Sequence, residues 1–284
     1  MQDFNYHQHT YRCRHADLNM KDDEYIEEYI KNGFKKIAFT DHCPEKNKID
    51  VRPRMRMDYE ERIGYLESIK RLKKIYANKI EILSGYEIEY LPDDVDNLME
   101  LKRETDILIQ GQHFIYDDDK NLKILFNGSQ FNDNEILRYA NYIKESIELG
   151  IPDIIAHPDL FLQGREGFGP IDEKVTRIIC DVAEKNNIPI EINLNNIFCR
   201  TYFDYPNKKM NPYRLPDEFT DEEISKIRYP SRNFWKIASE YKNLKVLFGI
   251  DVHFRGQITL AKESIEIANK IIGDDVISKL NFVK

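Results

Sequence analysis

The sequence lacks any apolar run of about 18 residues, the length that a membrane-spanning helix needs, so no membrane segment is predicted. Residues 1–15 are polar and contain no apolar core of a secretory signal. The chain has only four cysteines, none in a C-x-x-C pair, which argues against both a disulfide framework and a structural zinc site. We therefore expect a cytoplasmic protein whose cysteines are reduced.

Positive charge is also scarce. Lysine and arginine number 42 against 50 aspartates and glutamates, which gives a formal net charge of −8. A general nucleic-acid binder needs a basic face, so we expect no nucleic-acid partner. An anionic small molecule is compatible with this balance, because bound divalent cations would reverse the local charge. The length of 284 residues suits an α/β barrel of about 250 residues, and we expect one domain over residues 1–284.

Short β-like runs alternate with amphipathic helical runs along the whole chain, which predicts an α/β fold with parallel strands. The seven predicted strands are residues 4–7, 36–40, 80–87, 106–113, 153–157, 188–193 and 245–251. The predicted helices lie near residues 22–32, 58–76, 93–103, 133–149, 172–186, 231–241 and 258–272. Segment 194–230 is too long for a plain connection, and we expect it to act as a functional loop or lid.

The helix predicted over residues 58–76 has apolar side chains at helical spacing. Its expected buried stripe consists of Ile63, Leu66, Ile69 and Leu72. Tyr65 and Tyr76 of the same helix would widen this stripe, and the simpler interpretation is that both only pack in the core.

Polar residues of the types that bind metals occur at the ends of all seven predicted strands. In chain order they are His7, His9, Asp41, His42, Glu87, His113, His157, Glu191, Asn193, Asp251 and His253. The carboxyl ends of parallel strands meet on one face of a barrel, where active sites lie. The remaining histidine, His15, closely follows the first strand, and histidine is the commonest side-chain metal ligand. We therefore predict a metal centre on this face.

The first strand carries an H-x-H pattern at His7 and His9. Residues two apart on a strand point to the same side, so both imidazoles can reach one ion. The motifs that follow are FTDHCP, GYEIEY, GQHF, AHPDL and GIDVH. In this order they resemble the PHP family, named for polymerase and histidinol phosphatase domains. The resemblance spans residues 6–253 and is closest to the stand-alone histidinol-phosphate phosphatases, where H-x-H-T is followed within a few residues by another histidine, as in HQHTYRCRH here.

This resemblance implies a distorted (β/α)7 barrel, similar to a TIM barrel, that holds three divalent metal ions, typically zinc, iron or manganese. The implied ligands of the first ion are His7, His9, Glu87 and Asp251. Those of the second are Glu87, His113 and His157, with Glu87 as the bridge. Those of the third are His15, His42 and His253. A mixture of imidazole and carboxylate ligands suits these same metals.

The roles of several neighbouring side chains stay open. Cys13 and Cys43 are either weak extra ligands or, on the simpler interpretation, small buried residues. Asp41 is either a ligand or a residue that orients a ring and holds a proton. Glu191 and Asn193 either support the site or satisfy polar backbone at a strand end.

The implied reaction is the hydrolysis of a phosphate monoester. The uncatalysed reaction is among the slowest known, and metal ions about 3.5–4 Å apart can share a hydroxide and clamp the attacking and leaving oxygens. We expect that hydroxide to attack phosphorus in line, without a phosphoenzyme, with Glu87 and Asp251 among the catalytic residues. The leaving group would take its proton from metal-bound water or from Asp41.

A phosphate dianion favours arginine partners. The candidates are Arg165 in FLQGREGFG, Arg200 in the long loop, and Arg54 in the arginine cluster of residues 52–56. Glu45 is the candidate anion for the ammonium group of histidinol. In the histidinol-phosphate phosphatases the sixth strand commonly continues into a glycine-containing segment, whereas here it reads EINLNNIFCRTYFDYP.

The predicted function is that of a metal-dependent phosphomonoesterase on a small-molecule phosphate ester, with L-histidinol phosphate of histidine biosynthesis first among substrates. The alternative is a PHP-type phosphoesterase on a phosphotyrosine protein, or on a nucleotide or oligonucleotide phosphodiester, and the acidic balance disfavours the latter. A more remote alternative is a non-catalytic metal-binding regulatory protein. Such proteins usually lose ligands, and here the set is complete. Nothing in the sequence marks an oligomeric interface.

Overall fold

The computed structural model describes residues 2–44, 55–125, 130–201, 203–204, 209–210, 218–225 and 227–284. The strands are β1 (Phe4–Asn5), β2 (Lys36–Phe39), β3 (Glu81–Ile88), β4 (Ile107–Gln110), β5 (Phe114–Tyr116), β6 (Leu122–Ile124), β7 (Ile154–Ile155), β8 (Ile190–Asn193), β9 (Phe203–Asp204), β10 (Lys209–Met210), β11 (Lys245–Gly249) and β12 (Asn281–Phe282). The α-helices are α1 (Asp22–Lys31), α2 (Glu61–Tyr76), α3 (Val95–Glu104), α4 (Asp133–Glu148), α5 (Pro170–Lys185), α6 (Asn195–Thr201), α7 (Asp221–Ser225), α8 (Arg232–Ala238), α9 (Arg255–Thr259), α10 (Ala261–Ile272) and α11 (Asp274–Ile277).

Eight of these strands form one parallel sheet, in the order β1-β2-β3-β4-β7-β8-β11-β12. Each strand is followed by helix before the next strand of the sheet begins, as parallel neighbours require. All carboxyl ends therefore lie on the same edge of the sheet. The remaining four strands form two small antiparallel pairs, β5 with β6 and β9 with β10.

The chain segments that follow β1 and β11 meet, so that the sheet closes into a barrel. Gln8 and Val252 form a parallel bridge, and the His9 N–H donates to Val252 O at 2.8 Å. Nearer the amino end of the strands, the Gln2 amide donates to Phe248 O at 2.7 Å and accepts from the Phe248 N–H at 2.9 Å. The Gln2 side-chain amide thus makes the two hydrogen bonds that the main chain of a neighbouring strand would make to Phe248 on β11. The predicted distorted α/β barrel is confirmed.

Apolar side chains pack on both faces of the sheet. The cluster inside the barrel consists of Phe4, Ala38, Ile107, Ile109, Ile154, Ala156 and Leu247. A much larger cluster, between sheet and helices, takes the alternate residues of the same strands, such as Phe39, Leu108 and Val246. Burial of both faces is expected for a parallel sheet that is covered by helices.

Helix α2 buries a different stripe from the predicted one. Ile63 is 57% exposed and Leu66 is only partly buried, so the prediction for these two residues was wrong. The buried residues of the helix are Tyr65, Ile69, Leu72 and Tyr76. The Tyr65 hydroxyl donates to Gly85 O on β3 at 2.9 Å. A buried tyrosine needs such a partner, and this bond fixes which face of the helix meets the sheet.

All seven predicted strands are present, and most are shorter than the sequence indicated. Strand β12 and the β5–β6 hairpin were missed because their strands have only two or three residues, too few to show a periodic pattern. The described parts of segment 194–230 contain helices α6 and α7 and the β9–β10 pair. No helix among the described residues is long and apolar enough to cross a membrane.

Candidate metal centre

The seven histidines, Glu87 and Asp251 converge at the carboxyl ends of the barrel strands. All of them are buried except His15 and His113, whose partial exposure marks the side of the cluster that is open to solvent. A glycine on β11 and another just after β4 make room for this polar layer. A Cβ at Gly111 would collide with the Glu87 carboxylate, and one at Gly249 would collide with the Glu191 carboxylate.

Five ligand atoms from four residues form a compact group at the H-x-H pair. His7 Nε2 lies 3.1 Å from His9 Nε2, 3.4 Å from Glu87 Oε1 and 3.4 Å from Asp251 Oδ1. His9 Nε2 lies 3.2 Å from Asp251 Oδ1 and 3.4 Å from Glu87 Oε2. Ligands about 2.0–2.2 Å from a tetrahedral metal ion are separated from each other by about 3.3 Å. The group therefore has the dimensions of a first coordination sphere.

Glu87 also faces imidazoles on its other sides. Its Oε1 lies 3.0 Å from His157 Nε2 and 3.8 Å from His113 Nε2, and its Oε2 lies 2.9 Å from His42 Nδ1. The ligand atoms of Glu87, His113 and His157 are all close enough together to hold one ion. Glu87 thus occupies the centre of the cluster, where a bridging ligand would be.

The third predicted set is also assembled, with one addition. His15 Nε2 lies 2.8 Å from His253 Nε2, and the His42 ring centroid lies 5.2 Å from that of His15. Nitrogens of His9, His42 and His253 form a group of possible ligands as well. His9 therefore stands between the first set and the third.

Most of the ring nitrogens that face away from the cluster have a protein partner. His7 Nδ1 lies 3.1 Å from both Glu191 oxygens, and His113 Nδ1 lies 2.7 Å from Glu89 Oε1. Main-chain carbonyls serve two more rings: Cys13 O lies 2.6 Å from His15 Nδ1, and Asp251 O lies 3.0 Å from His253 Nδ1. Such partners fix the tautomer and orientation of metal-binding imidazoles.

The charge states of Glu87, Asp251 and His15 suit a cation. Burial alone would raise the pKa of Glu87, but the neighbouring imidazoles of His42 and His7 hold that pKa well below its ordinary value. The pKa of Asp251 is likewise held low, mainly by His7 and His253 against the effect of burial. Burial, with a contribution from His9, lowers the pKa of His15 to about 4. At neutral pH the carboxylates are therefore ionised and the ring of His15 is neutral, which are the forms that bind metals.

Unsatisfied polar atoms provide an independent test of whether a metal fits. Glu87 Oε2, Asp251 Oδ1, His42 Nδ1 and His157 Nδ1 are buried and make no hydrogen bond of regular geometry among the described residues, although Glu87 Oε2 and His42 Nδ1 lie 2.9 Å apart. Buried polar atoms without a partner are rare in native proteins and costly. The two carboxylate oxygens and His42 Nδ1 lie inside the cluster, so a divalent cation there would satisfy them. The residues present fit such an ion.

Residues 5–195, about two thirds of the chain, match the model of the PHP domain. This chain belongs to the PHP domain family. Its curated relatives include a protein assigned as histidinol-phosphatase in Schizosaccharomyces pombe, 32% identical over 36% of each chain. The histidinol-phosphatase of Bacillus subtilis is 34% identical over 32% of this chain and 35% of its own. The matched region thus spans about a third of the length of these relatives.

Solved structures support the same fold. A Listeria monocytogenes protein assigned as the histidinol phosphatase hisK superposes with a TM-score of 0.69 at 19% identity, covering 90% of this chain and 97% of its own. The histidinol phosphate phosphatase of Lactococcus lactis, solved with zinc, L-histidinol and phosphate, gives a TM-score of 0.64 at 16% identity over 94% of both chains. The predicted membership of the PHP family is confirmed.

The residues predicted to bind substrate are less well placed in this PHP domain. Arg165 donates to Asp172 at 2.9 Å, to Asp133 at 2.8 Å and to a main-chain carbonyl, so its guanidinium is already engaged. Glu45, Arg54 and the side chain of Arg200 lie outside the described residues.

The structure adds two residues that the sequence argument missed. Glu89, which pairs with His113, lies two residues after Glu87 on the same side of the chain, and the spacing in GYEIEY could have revealed it. Tyr229 is nearly buried, with its ring centroid 6.3 Å from that of His157. Arg56, which belongs to the predicted arginine cluster of residues 52–56, is buried with its guanidinium 3.8 Å from Glu89.

Proposed function

We propose that this PHP domain is a metal-dependent phosphomonoesterase and that L-histidinol phosphate is its first candidate substrate. The observation that carries the proposal is the position of Glu87, whose two buried oxygens lie 2.9–3.4 Å from four imidazole nitrogens. Neutral imidazoles would leave the charge of Glu87 unbalanced, whereas cations held between Glu87 and the rings would balance it. We further propose that residues 1–284 act as one domain.

The proposed ligands are the three sets expected from the family, with zinc, iron or manganese as the metals. When bound, such ions supply a nucleophile at neutral pH and stabilise charge on the phosphoryl oxygens. Without cations the ionised Glu87 and Asp251 would repel a phosphate dianion. The chain's own carboxylates therefore make phosphate binding dependent on metal. We expect a chelator to abolish metal binding and phosphate binding together.

The residues behind the ligands hold protons in defined places. Glu191 holds a proton on His7 Nδ1, and Glu89 holds one on His113 Nδ1, so that each ring presents the lone pair of Nε2 to the cluster. Asn193 donates to Glu191 at 2.7 Å and to Asp251 at 3.2 Å, which links the two carboxylates and restrains both. Such support keeps the ligand atoms at fixed positions before substrate arrives.

Asp41 remains our candidate for holding the proton that the leaving group needs. Its carboxylate accepts hydrogen bonds from Thr10 N at 2.7 Å, Thr10 Oγ1 at 2.7 Å and Cys13 Sγ at 2.8 Å. Burial raises the pKa of Asp41 above its ordinary value. In the resting site Asp41 accepts these bonds as a carboxylate, and a proton that it took up during the reaction would pass on through the hydroxyl of Thr10.

The substrate side rests on the relatives and on the open edge of the cluster. The named relatives are histidinol phosphatases, and the Lactococcus lactis structure contains both products of that reaction together with zinc. The partly exposed His15 and His113 mark where a small phosphate ester would enter. Arg54, Arg200 and Glu45 remain candidates for contacts with the phosphate and ammonium groups. Arg165 could bind the phosphate only after breaking its ion pairs with Asp133 and Asp172.

The proposal is tested by turnover of purified, metal-analysed protein on histidinol phosphate. The same preparation is assayed on p-nitrophenyl phosphate, a phosphotyrosine peptide and a short oligonucleotide, with His9→Ala as the control. We expect selective phosphate release from histidinol phosphate with kcat/KM of about 10⁴ M⁻¹s⁻¹ or more, lost in His9→Ala. A preference for the peptide or the oligonucleotide would keep the metal centre but overturn the substrate. Absence of phosphatase activity in metal-loaded protein would overturn the proposed function.

A further inference from the structure

The thiol of Cys13 lies between Asp41 and the ring of His9. Its Sγ is 2.8 Å from Asp41 Oδ1 and 3.2 Å from His9 Nδ1, and the main-chain N–H of His42 donates to the same sulfur at 3.2 Å. Cys13 is completely buried. The sulfur thus makes three polar contacts with three different parts of the barrel edge, which is more than packing alone requires.

This arrangement sets His9 apart from the other imidazoles of the cluster. Carboxylates stand behind His7 and His113, and main-chain carbonyls stand behind His15 and His253. Behind His9 the partner is the thiol of Cys13, and this thiol is in turn hydrogen-bonded to the carboxylate of Asp41. His9 is also the ring that stands between the first and the third ligand sets. Its orientation therefore affects more of the centre than that of any single-set ligand.

We propose that Cys13 is the positioning residue of His9, connecting it to the buried charge of Asp41. The inference rests on the metal binding of the proposed function. The thiol is placed to donate a hydrogen bond to Asp41 Oδ1 and to accept one from His9 Nδ1, which leaves His9 Nε2 free to face Glu87 and Asp251. The sulfur acts through His9 rather than on the substrate.

The first test is zinc affinity, measured by competition with a chelator for the zinc-loaded wild type, Cys13→Ala and Cys13→Ser. Cys180→Ala is the matched control, because it removes a buried thiol from helix α5, away from the site. We expect Cys13→Ala to weaken the most loosely held zinc about 10–100-fold, as losses of this kind of support do. Cys13→Ser keeps a donor and an acceptor and is expected to recover much of the loss. Cys180→Ala should bind zinc as the wild type does.

A double-mutant cycle with Asp41→Asn tests the connection itself. If Asp41 acts on His9 through Cys13, the pair Asp41→Asn and Cys13→Ala will lower zinc affinity by about as much as Cys13→Ala alone. Simple addition of the two losses would overturn the relay. The visible spectrum of the cobalt-substituted protein gives a second readout, which should shift in Cys13→Ser because the His9 ring moves.

The outcomes separate this inference from the proposed function. Zinc affinity and a cobalt spectrum in Cys13→Ala identical to those of the wild type would overturn the role of Cys13 while the phosphatase assignment stands. Should Cys13→Ala fail to fold without metal, as judged by circular dichroism, the comparison of Cys13→Ser with the wild type decides: an unchanged affinity and spectrum overturn the inference. A wild type that binds no zinc overturns both.

Discussion

The two sides of the candidate site differ in how they are built. The ligand side is made of short strand ends, and its seven histidines and two carboxylates are held by the hydrogen bonds of a closed barrel. The proposed substrate contacts come instead from segment 194–230 and the arginine cluster of residues 52–56, of which the structure describes only parts. The described strand ends thus suffice to bring the candidate ligands together, whereas the described residues do not assemble a set of substrate contacts. Catalytic and binding residues on loops commonly follow this division.

Glu87→Gln should have the largest effect, since it removes the charge at the centre of the ligand side. We expect loss of at least one bound metal ion and a fall in kcat/KM on the order of 10³-fold or more, because charge stabilisation supplies most of the catalysis of phosphoryl transfer. Metal analysis and steady-state kinetics check it. Glu81→Gln is the control on the same strand, where the carboxylate is exposed and pairs with Lys36. Full activity in Glu87→Gln would show that the charge of Glu87 is not needed for catalysis, and that the ligand side does not work as proposed.

Glu191→Gln probes the support behind the ligands. An amide can still contact His7 Nδ1 but carries no charge, so the ring is oriented less firmly and is less basic. We expect metal affinity to fall about 10–100-fold while kcat at saturating metal is largely retained. Chelator competition followed by assays over a range of zinc concentrations measures this, with the exposed Glu173→Gln as control. An effect on kcat alone would mean that Glu191 contacts the reacting groups directly.

Tyr229→Phe probes the substrate side, at a described residue of the long segment whose ring lies near that of His157. The hydroxyl is buried near the charges of Asp251 and Glu87, and burial with these charges raises its pKa. We expect a fall in kcat/KM of about 3–10-fold, the worth of one neutral hydrogen bond, expressed mainly in KM. No change in metal content is expected. Loss of metal from Tyr229→Phe would place this residue on the ligand side instead.

Arg165→Gln should have the smallest effect on catalysis. Its guanidinium neutralises the buried Asp172, which also caps helix α5 by accepting from Gly169 N at 2.9 Å. The variant should lose about 1–3 kcal/mol of stability, because a buried carboxylate loses a donor, and keep kcat/KM within about threefold. Thermal melting and kinetics measure the two quantities, with the exposed Arg177→Gln as control. A large loss of kcat/KM with unchanged Tm would restore Arg165 as a phosphate-binding residue.

The residues that the sequence predicted for the ligand side lie together in the structure, because the patterns that point to them are local. His7 and His9 are two apart on a strand, and Asp251 and His253 are two apart just after another, so each pair shares a face. The parallel sheet then brings these strand ends together. The two-residue strand β12 and the buried face of helix α2 depend on tertiary contacts, which no local pattern records.

The substrate side could not be predicted in the same way. Arg165 had the right charge in the right loop, but its partners Asp133 and Asp172 become visible only once the chain is folded. The place of Cys13 between His9 and Asp41 likewise depends on long-range contact, since Asp41 is 28 residues further along. Charge and residue type identify candidates, and only the fold shows which of them already have partners.

We propose that the histidines, Glu87 and Asp251 form one multi-metal centre. Its most direct test is a crystal structure of the zinc-loaded protein with anomalous diffraction recorded on both sides of the zinc edge. We predict anomalous peaks within about 2.0–2.2 Å of His7 Nε2, His9 Nε2 and Asp251 Oδ1, with Glu87 bridging to a further peak near His113 and His157. Zinc bound elsewhere on the molecule, with no peak beside Glu87, would contradict the account.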